Sequence, residues 1–263
     1  MTPSITPLRL SFRNLGCSFS TLTALLASVF FATQASGAVI VWDASAVNTD
    51  TSNASQISTA GSLFLAVDMY SSITSTNYTV NGVTFTGSNA NITIGKSGGP
   101  SQFGTAPGTG TYTYASILDG GDYIAPLSDS PTHPIQISNL LSGHSYQLQI
   151  WTPYWNTNWV TRYSDVAPTS GSGYTFAAGQ SPSVNTGFTT GSVTSQYILG
   201  TFTADLSGTQ NLYYFGDNSA AMFGAIQVRD LGLVPEPTTI ALCALGGLAL
   251  MVRSRFRQRK LAA

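Results

Sequence analysis

Between residues 39 and 234 the apolar residues come in short runs or in alternation, split by turn residues. No segment there carries the 3.6-residue spacing of a helix. Ser145-Tyr-Gln-Leu-Gln-Ile-Trp151 is the clearest case, since Tyr146, Leu148 and Ile150 fall on one face of a strand. Val39–Trp42, Asn91–Ile94, Tyr112–Leu118, Pro134–Ile137, Gln196–Asp205, Gln210–Phe215 and Ala221–Arg229 read as further strands. Tyr78–Val80 and Val83–Phe85 flank Asn81-Gly82, whose residues both tolerate positive φ, and so predict a tight hairpin. Leu63–Val67 fits either a short helix or a buried strand. Residues 95–111, rich in Gly, Ser, Thr and Pro, read as a loop, and Asp119-Gly-Gly-Asp122 reads as a turn. The expected fold is all-β, an antiparallel two-sheet sandwich of jelly-roll-like kind.

The two ends have a different chemistry. Arg9 and Arg13 precede an apolar stretch from Leu22 to Ala32, and Ser36-Gly37-Ala38 places small residues where a signal peptidase cuts, after Ala38. Residues 1–38 are therefore expected to be a signal peptide. An uncleaved anchor is the rival reading, against which the stretch is short. Cys17 precedes the apolar stretch, the wrong order for a lipoprotein signal. At the other end, Pro235-Glu236-Pro237 gives a hard break, the apolar run Thr238–Val252 follows, and residues 253–263 are strongly basic. That run spans about 22 Å as a helix against a hydrocarbon core of about 30 Å. It fits a transient membrane segment with a cytoplasmic basic end, or an anchor in which Arg253 snorkels. The expected organisation is 1–38 signal, 39–231 sandwich and 232–263 tail.

Discounting the ends changes the charge. Residues 39–234 keep three cations, Lys96, Arg162 and Arg229, against ten aspartates and no glutamate, a formal charge of −7 compared with −1 for the whole chain. A body so poor in cations cannot neutralise a phosphate backbone, which argues against nucleic acid and anionic polymers as partners but leaves neutral glycans open. Cys17 and Cys243 lie in the end segments, so the body has neither disulfides nor cysteine metal sites and must rest on its core.

The tail resembles the PEP-CTERM sorting tail of exported bacterial proteins, also called an ice-binding-protein C-terminal domain. The resemblance implies that an exosortase-like membrane protease recognises Pro235, Glu236 and Pro237 and releases the domain to the cell surface or extracellular matrix. Ice binding is not implied, because no regular Thr-x-Thr ladder appears. Pro134–Trp151, and Leu199–Asp205 with Phe223–Arg229, resemble the central and closing strands of galactose-binding-like sandwiches. A structural calcium is common in such folds, but no motif maps a ligand here.

Candidate chemistry is sparse. His133 and His144 lack an evident triad, no Gly-x-Ser-x-Gly elbow is present, and both read as surface or turn histidines. Asp119, Asp122 and Asp129 form the nearest acidic cluster that a polysaccharide hydrolase would need, though Asp beside Gly more often caps a turn. No Asp-x-Asp-x-Asp-Gly loop is present, so calcium would have to use scattered acids such as Asp43 or Asp230. Asn53, Asn77 and Asn91 begin Asn-x-Ser/Thr triplets that a chain rich in these residues carries by chance. Trp151, Tyr154, Trp155, Trp159 and Tyr163, with Asn156, Asn158 and Arg162, form the one dense aromatic cluster. Flat rings could stack on sugars while Asn and Arg bond hydroxyls; packing over the open end of the sandwich is the competing reading. The leading expectation is a non-enzymatic exported envelope or matrix protein that needs no cofactor. The alternative is a carbohydrate-binding module using Trp151, Tyr154, Trp155, Trp159 and Arg162.

Overall fold

A computed structural model describes residues 38–50, 52–95, 101–102, 114–124, 135–154, 159–167, 180–185, 188–189, 192–193, 195–216 and 221–234. The expected signal segment before Ala38, Trp155, and the Pro235-Glu236-Pro237 tail lie outside the described residues.

The described residues form an all-β, sandwich-like structure whose strand pairings are antiparallel. The first sheet runs β1 (Val41–Trp42), β15 (Gln196–Thr203), β10 (His144–Trp151), β18 (Ala225–Leu233), β3 (Ser62–Asp68), with β2 (Val47–Asn48) also on β15. The second runs β12 (Val184–Asn185), β11 (Val160–Ser164), β16 (Gln210–Gly216), β9 (Ile135–Ile137), β6 (Ile92–Ile94). Smaller pieces complete it. They are the hairpin β4 (Tyr78–Val80) and β5 (Val83–Phe85), the ribbon β17 (Ala221–Phe223), β8 (Gly120–Ile124) and β7 (Ser101–Gln102), and the pair β13 (Phe188–Thr189) and β14 (Ser192–Val193).

The alternation read from the sequence aims one set of side chains between the two main sheets. Tyr146, Leu148 and Ile150 of β10, Ile198 and Phe202 of β15, and Ile226 and Val228 of β18 meet Ile135, Ile137, Tyr163, Leu212 and Tyr214 of the second sheet in one buried cluster. Each fully buried aliphatic side chain there contributes roughly 1.5–3 kcal/mol. The register aligns the layers, with Ile150 opposite both Ile198 and Ile226. Asn81 and Gly82 take φ of 50° and 73°, the positive values expected of the β4–β5 turn.

Four local expectations are settled differently or more sharply. Of the expected strand Tyr112–Leu118, the described part, Tyr114–Leu118, is a 3₁₀ turn. Leu63–Val67 is strand, within β3. Directly after it, Met69–Thr74 forms a short α-helix, α1, where no helix was expected. Six residues are too few to register as a 3.6-residue pattern, and what starts the helix is its cap, Asp68. Asp119-Gly-Gly-Asp122 does not make a turn: Gly120–Ile124 is strand β8. The glycines are needed for close approach. A Cβ on Gly120 would lie 2.8 Å from Tyr70 Cα, and one on Gly121 2.6 Å from Pro153. At the C-terminal side, β18 continues to Leu233, two residues past the expected domain end.

The outer face of the first sheet is covered instead of solvated. Trp151 and Ala225 on that face, with Ala66 and Tyr197, join Ile57, Val80, Val83, Phe85, Tyr114, Ile117 and Leu118 in a second buried cluster. Beside it, polar side chains of the sheet hold segment 56–61 down. Gln149 accepts from the Ser58 amide (2.9 Å) and donates to the Gln56 carbonyl (2.7 Å), while Gln227 donates to the Ser58 carbonyl (2.8 Å). The Arg229 guanidinium donates to the carbonyls of Thr59, Ala60 and Gly61. Gln149, Gln227 and Arg229 are all buried, so these bonds satisfy groups that would otherwise be costly to desolvate.

Arg229→Met should lower stability in denaturant unfolding by about 2–4 kcal/mol, because it strands three carbonyls at once. Arg229→Lys should recover less than half of that loss, since an ammonium cannot reproduce the planar fork. A loss under about 0.5 kcal/mol for Arg229→Met would show that segment 56–61 is held by other contacts.

Candidate functional site

The described members of the aromatic cluster do not share one platform. Trp151 ends β10 on the outer face of the first sheet and is fully buried. Its indole N–H donates to the Tyr114 hydroxyl (2.8 Å), and its ring packs edge-on against Phe85 and Tyr114. It is removed from the candidate glycan-binding residues, because the β4–β5 hairpin and the 3₁₀ turn Tyr114–Leu118 cover it. Tyr163 is likewise buried, facing the inter-sheet core, with its hydroxyl donating to the Met222 carbonyl (3.2 Å). Tyr154 is half-buried against the cluster containing Trp151, and its amide donates to the Leu118 carbonyl (2.7 Å). Arg162 alternates with the inward-facing Thr161 and Tyr163 on β11, which puts it on the outer side of the second sheet. Tyr154 and Arg162 thus lie on opposite faces of the sandwich, whose sheets pack about 10 Å apart. Trp159 is half-buried just before β11.

A second group of residues converges at this end of the sandwich. Asp68, at the end of β3, caps α1: its Oδ1 accepts from the Tyr70 amide (3.0 Å), and Oδ2 from the Ser71 amide (3.2 Å) and hydroxyl (3.1 Å). The Met69 amide donates to the Gly224 carbonyl (3.0 Å), tying the cap to the start of β18. Asp122, on β8, is also fully buried, and the Tyr214 hydroxyl donates to its Oδ2 (3.3 Å). Asp119 lies nearly buried between the 3₁₀ turn and β8. Tyr70 stacks on Tyr78 with ring centroids 5.7 Å apart and planes within 15°.

Burial decides the chemistry of this group. Loss of water pushes the Asp68 carboxyl from its ordinary 3.8 up to about 7; its hydrogen bonds pull the other way, and the nearby Asp119 charge adds to the rise. Burial likewise lifts the Tyr214 hydroxyl well above its usual range, with the Asp122 charge adding to it. Because both Asp68 oxygens are engaged by the start of α1, its role here is to hold that helix. Nothing in the sequence marks Asp68 as a neighbour of Asp119, since the two come together only when β3 and the segment entering β8 meet.

His144 gains a partner that the sequence does not reveal. Its Nδ1 lies 3.0 Å from both carboxylate oxygens of Asp230, across the β10–β18 pairing. Its ring tilts over Tyr146, whose hydroxyl accepts from the Leu141 amide (2.9 Å). Asp230 is therefore occupied by His144, while Asp43 is exposed beside β1. His133 and Asp129 lie outside the described residues. Among the described residues no group of three or more His, Cys, Asp or Glu is placed to hold a metal ion. Among them, too, no helix is long and apolar enough to cross a membrane.

No protein-family model, curated protein or solved structure matches the chain.

The raised Asp68 value has a signed consequence. A carboxyl that holds its proton more tightly when folded contributes stability that is full below about 3.8 and is lost as pH rises through about 7. Its contribution should fall across that window by up to about 1.4 kcal/mol per pH unit. Asp68→Asn keeps a good helix cap without the charge and should flatten this part of the stability–pH profile. Parallel slopes for the two proteins between pH 4 and 7 would show that Asp68 does not carry the effect.

Proposed function

We propose that the chain is an exported protein of the cell envelope or extracellular matrix. Its sandwich is a non-catalytic interaction domain, and its C-terminal segment is a sorting tail handled by an exosortase-like membrane protease. The signal segment directs export, the apolar run Thr238–Val252 holds the chain at the membrane, and processing near Pro235-Glu236-Pro237 frees the domain. What supports this reading is where the last described strand ends. β18 is an internal strand of the first sheet, its last paired residue is Leu233, and the Val234 amide donates to the Gly143 carbonyl (3.0 Å). The next residue is Pro235, so a cut at the motif would leave every described strand in place. The finer reading of the fold, a jelly-roll-like sandwich akin to galactose-binding-like domains, is supported by the crossovers that set β15, β10, β18 and β3 side by side.

A second reading, binding to a neutral extracellular polysaccharide, is favoured by one observation: Tyr154 and Trp159, which flank Trp155 in the sequence, keep part of their surface. In this reading the site is reduced to those three rings, without Trp151.

The sorting reading is tested in a host that carries an exosortase-like protease. Replacing Pro235, Glu236 and Pro237 with Ala should keep the full-mass chain in the membrane fraction, while the natural chain yields a shorter product outside it. Equal release of both chains would overturn the reading. For the glycan reading, Trp159→Ala should weaken retention on neutral polysaccharides about tenfold, the scale of one lost stacking contact. Retention that survives Trp155→Ala and Trp159→Ala together would place any glycan contact elsewhere.

A further inference from the structure

The exposed apolar side chains are unevenly distributed. Two turns meet at the end of the first sheet where β10 begins and β15 and β18 finish. Residues 139–143 lead into β10, and 204–209 follow β15. They are joined directly: the Leu140 amide donates to the Gly208 carbonyl (3.0 Å) and the Gly143 amide to the Ala204 carbonyl (2.8 Å). Each turn tip carries a leucine facing water. Leu206 is 95 % exposed and Leu141 55 %. Turn tips ordinarily carry Gly, Pro, Asn, Asp or Ser, and here those types surround each leucine without replacing it.

The chain leaves the fold through the same place. Leu233 pairs with His144 and is 68 % exposed, with its side chain beside Gly143, and Val234 follows at 41 %. The chain enters there too. β1 runs antiparallel to β15, so Val39, at 69 % exposed and two residues before the Val41–Thr201 pair, lies towards the end where β15 finishes. Val39, Leu141, Leu206, Leu233 and Val234 therefore form an apolar rim around the point where the chain departs.

We infer that this rim rests on the surface of a lipid bilayer while the tail is inserted. The inference builds on the proposal that Thr238–Val252 enters the membrane. The reason is reach. Only Pro235, Glu236 and Pro237 separate Val234 from Thr238, and four extended steps cover at most about 14 Å. A domain on so short a tether cannot stand clear of the headgroup layer, and the end it must present is the one bearing the leucines. Apolar side chains at that depth bury area that is otherwise exposed to water. Asp205 and the His144–Asp230 pair lie at the same end, which fits neutral, zwitterionic headgroups better than anionic ones.

The test uses the full chain in phosphatidylcholine vesicles that contain headgroup-nitroxide lipid. Leu206→Cys and Ile73→Cys, each in a Cys17→Ser and Cys243→Ser background, carry an environment-sensitive fluorophore. Ile73 is an exposed apolar residue of α1 at the opposite end of the sandwich. The 206 label should be quenched at least about threefold more than the 73 label, and the difference should persist in high salt, because the contact is apolar. A third protein, labelled at its own Cys243 in a Cys17→Ser background, reports on the tail. Lipid-protected Cys243 with an unquenched 206 label would overturn the rim and spare the tail. Unprotected Cys243 with a quenched 206 label would support the rim and overturn the tail. If neither position meets lipid, both fall. Shielding at 206 that follows protein density and ignores the nitroxide would assign the rim to a second copy of this chain and overturn the lipid contact.

Discussion

The pairing of β10 with β18 is the contact on which the rest of the fold depends. Both strands are internal to the first sheet, and both of their faces are used. Their inward residues, Tyr146, Leu148, Ile150, Ile226 and Val228, build one wall of the core between the sheets. Their outward residues do something less common for a sandwich. Gln149, Gln227 and Arg229 bind backbone groups of segment 56–61, and Trp151 and Ala225 seat the β4–β5 hairpin. The two strands must therefore satisfy an apolar layer and a polar one in the same register. A slip of one residue would exchange the two faces and ruin both.

Covering that outer face also explains how a body without cysteines can hold together. It has no disulfides to constrain the unfolded chain, so stability must come from burial and from hydrogen bonds that replace those to water. The second buried cluster extends the core beyond the space between the two sheets. The polar clamp beside it buries an arginine whose guanidinium donates to three backbone carbonyl oxygens. At the far end the same economy appears in Asp68. A buried carboxylate is tolerated there because three donors at the start of α1 meet it, and its affinity for protons rises because water does not.

The sequence made the fold class legible because alternation is a local signal. Tyr146, Leu148 and Ile150 occupy one face however the chain is folded, and Asn81-Gly82 turns the chain by its own backbone preference. The helix α1 escaped because six residues leave no periodic trace and its cap looks like any aspartate. Asp119-Gly-Gly-Asp122 misled for a different reason. Glycine serves turns and close contacts alike, and here Tyr70 approaches from α1 and Pro153 from the segment after β10, both far from these glycines in sequence. The aromatic cluster shows the limit for sites. Density along the chain brought Trp151, Tyr154 and Arg162 together on paper, but the outward face of β10 and the outward face of β11 are opposite sides of the molecule. The His144–Asp230 pair had no local signal at all, since its members are 86 residues apart.

The positions of Val39 and Val234 bear on where a ligand would be met in the proposed arrangement. Val39 and Val234 lie at the same end of the first sheet, beside the leucines of the two turns. In the proposed arrangement, a domain tethered there by three residues presents its opposite end outward. That opposite end holds α1 with Tyr70, the start of β8, and Tyr154 and Trp159. The membrane-proximal end is then the apolar one, and the distal end holds the half-buried rings that remain of the aromatic cluster. Held at the envelope as proposed, the domain would meet a ligand arriving from outside at its distal end first. The charge pattern points the same way. Cations concentrate in the two end segments, and the body between them is acidic. Under the proposed attachment, the rim would rest on apolar contact, and an outward partner would meet an acidic surface, which favours neutral polymers over anionic ones.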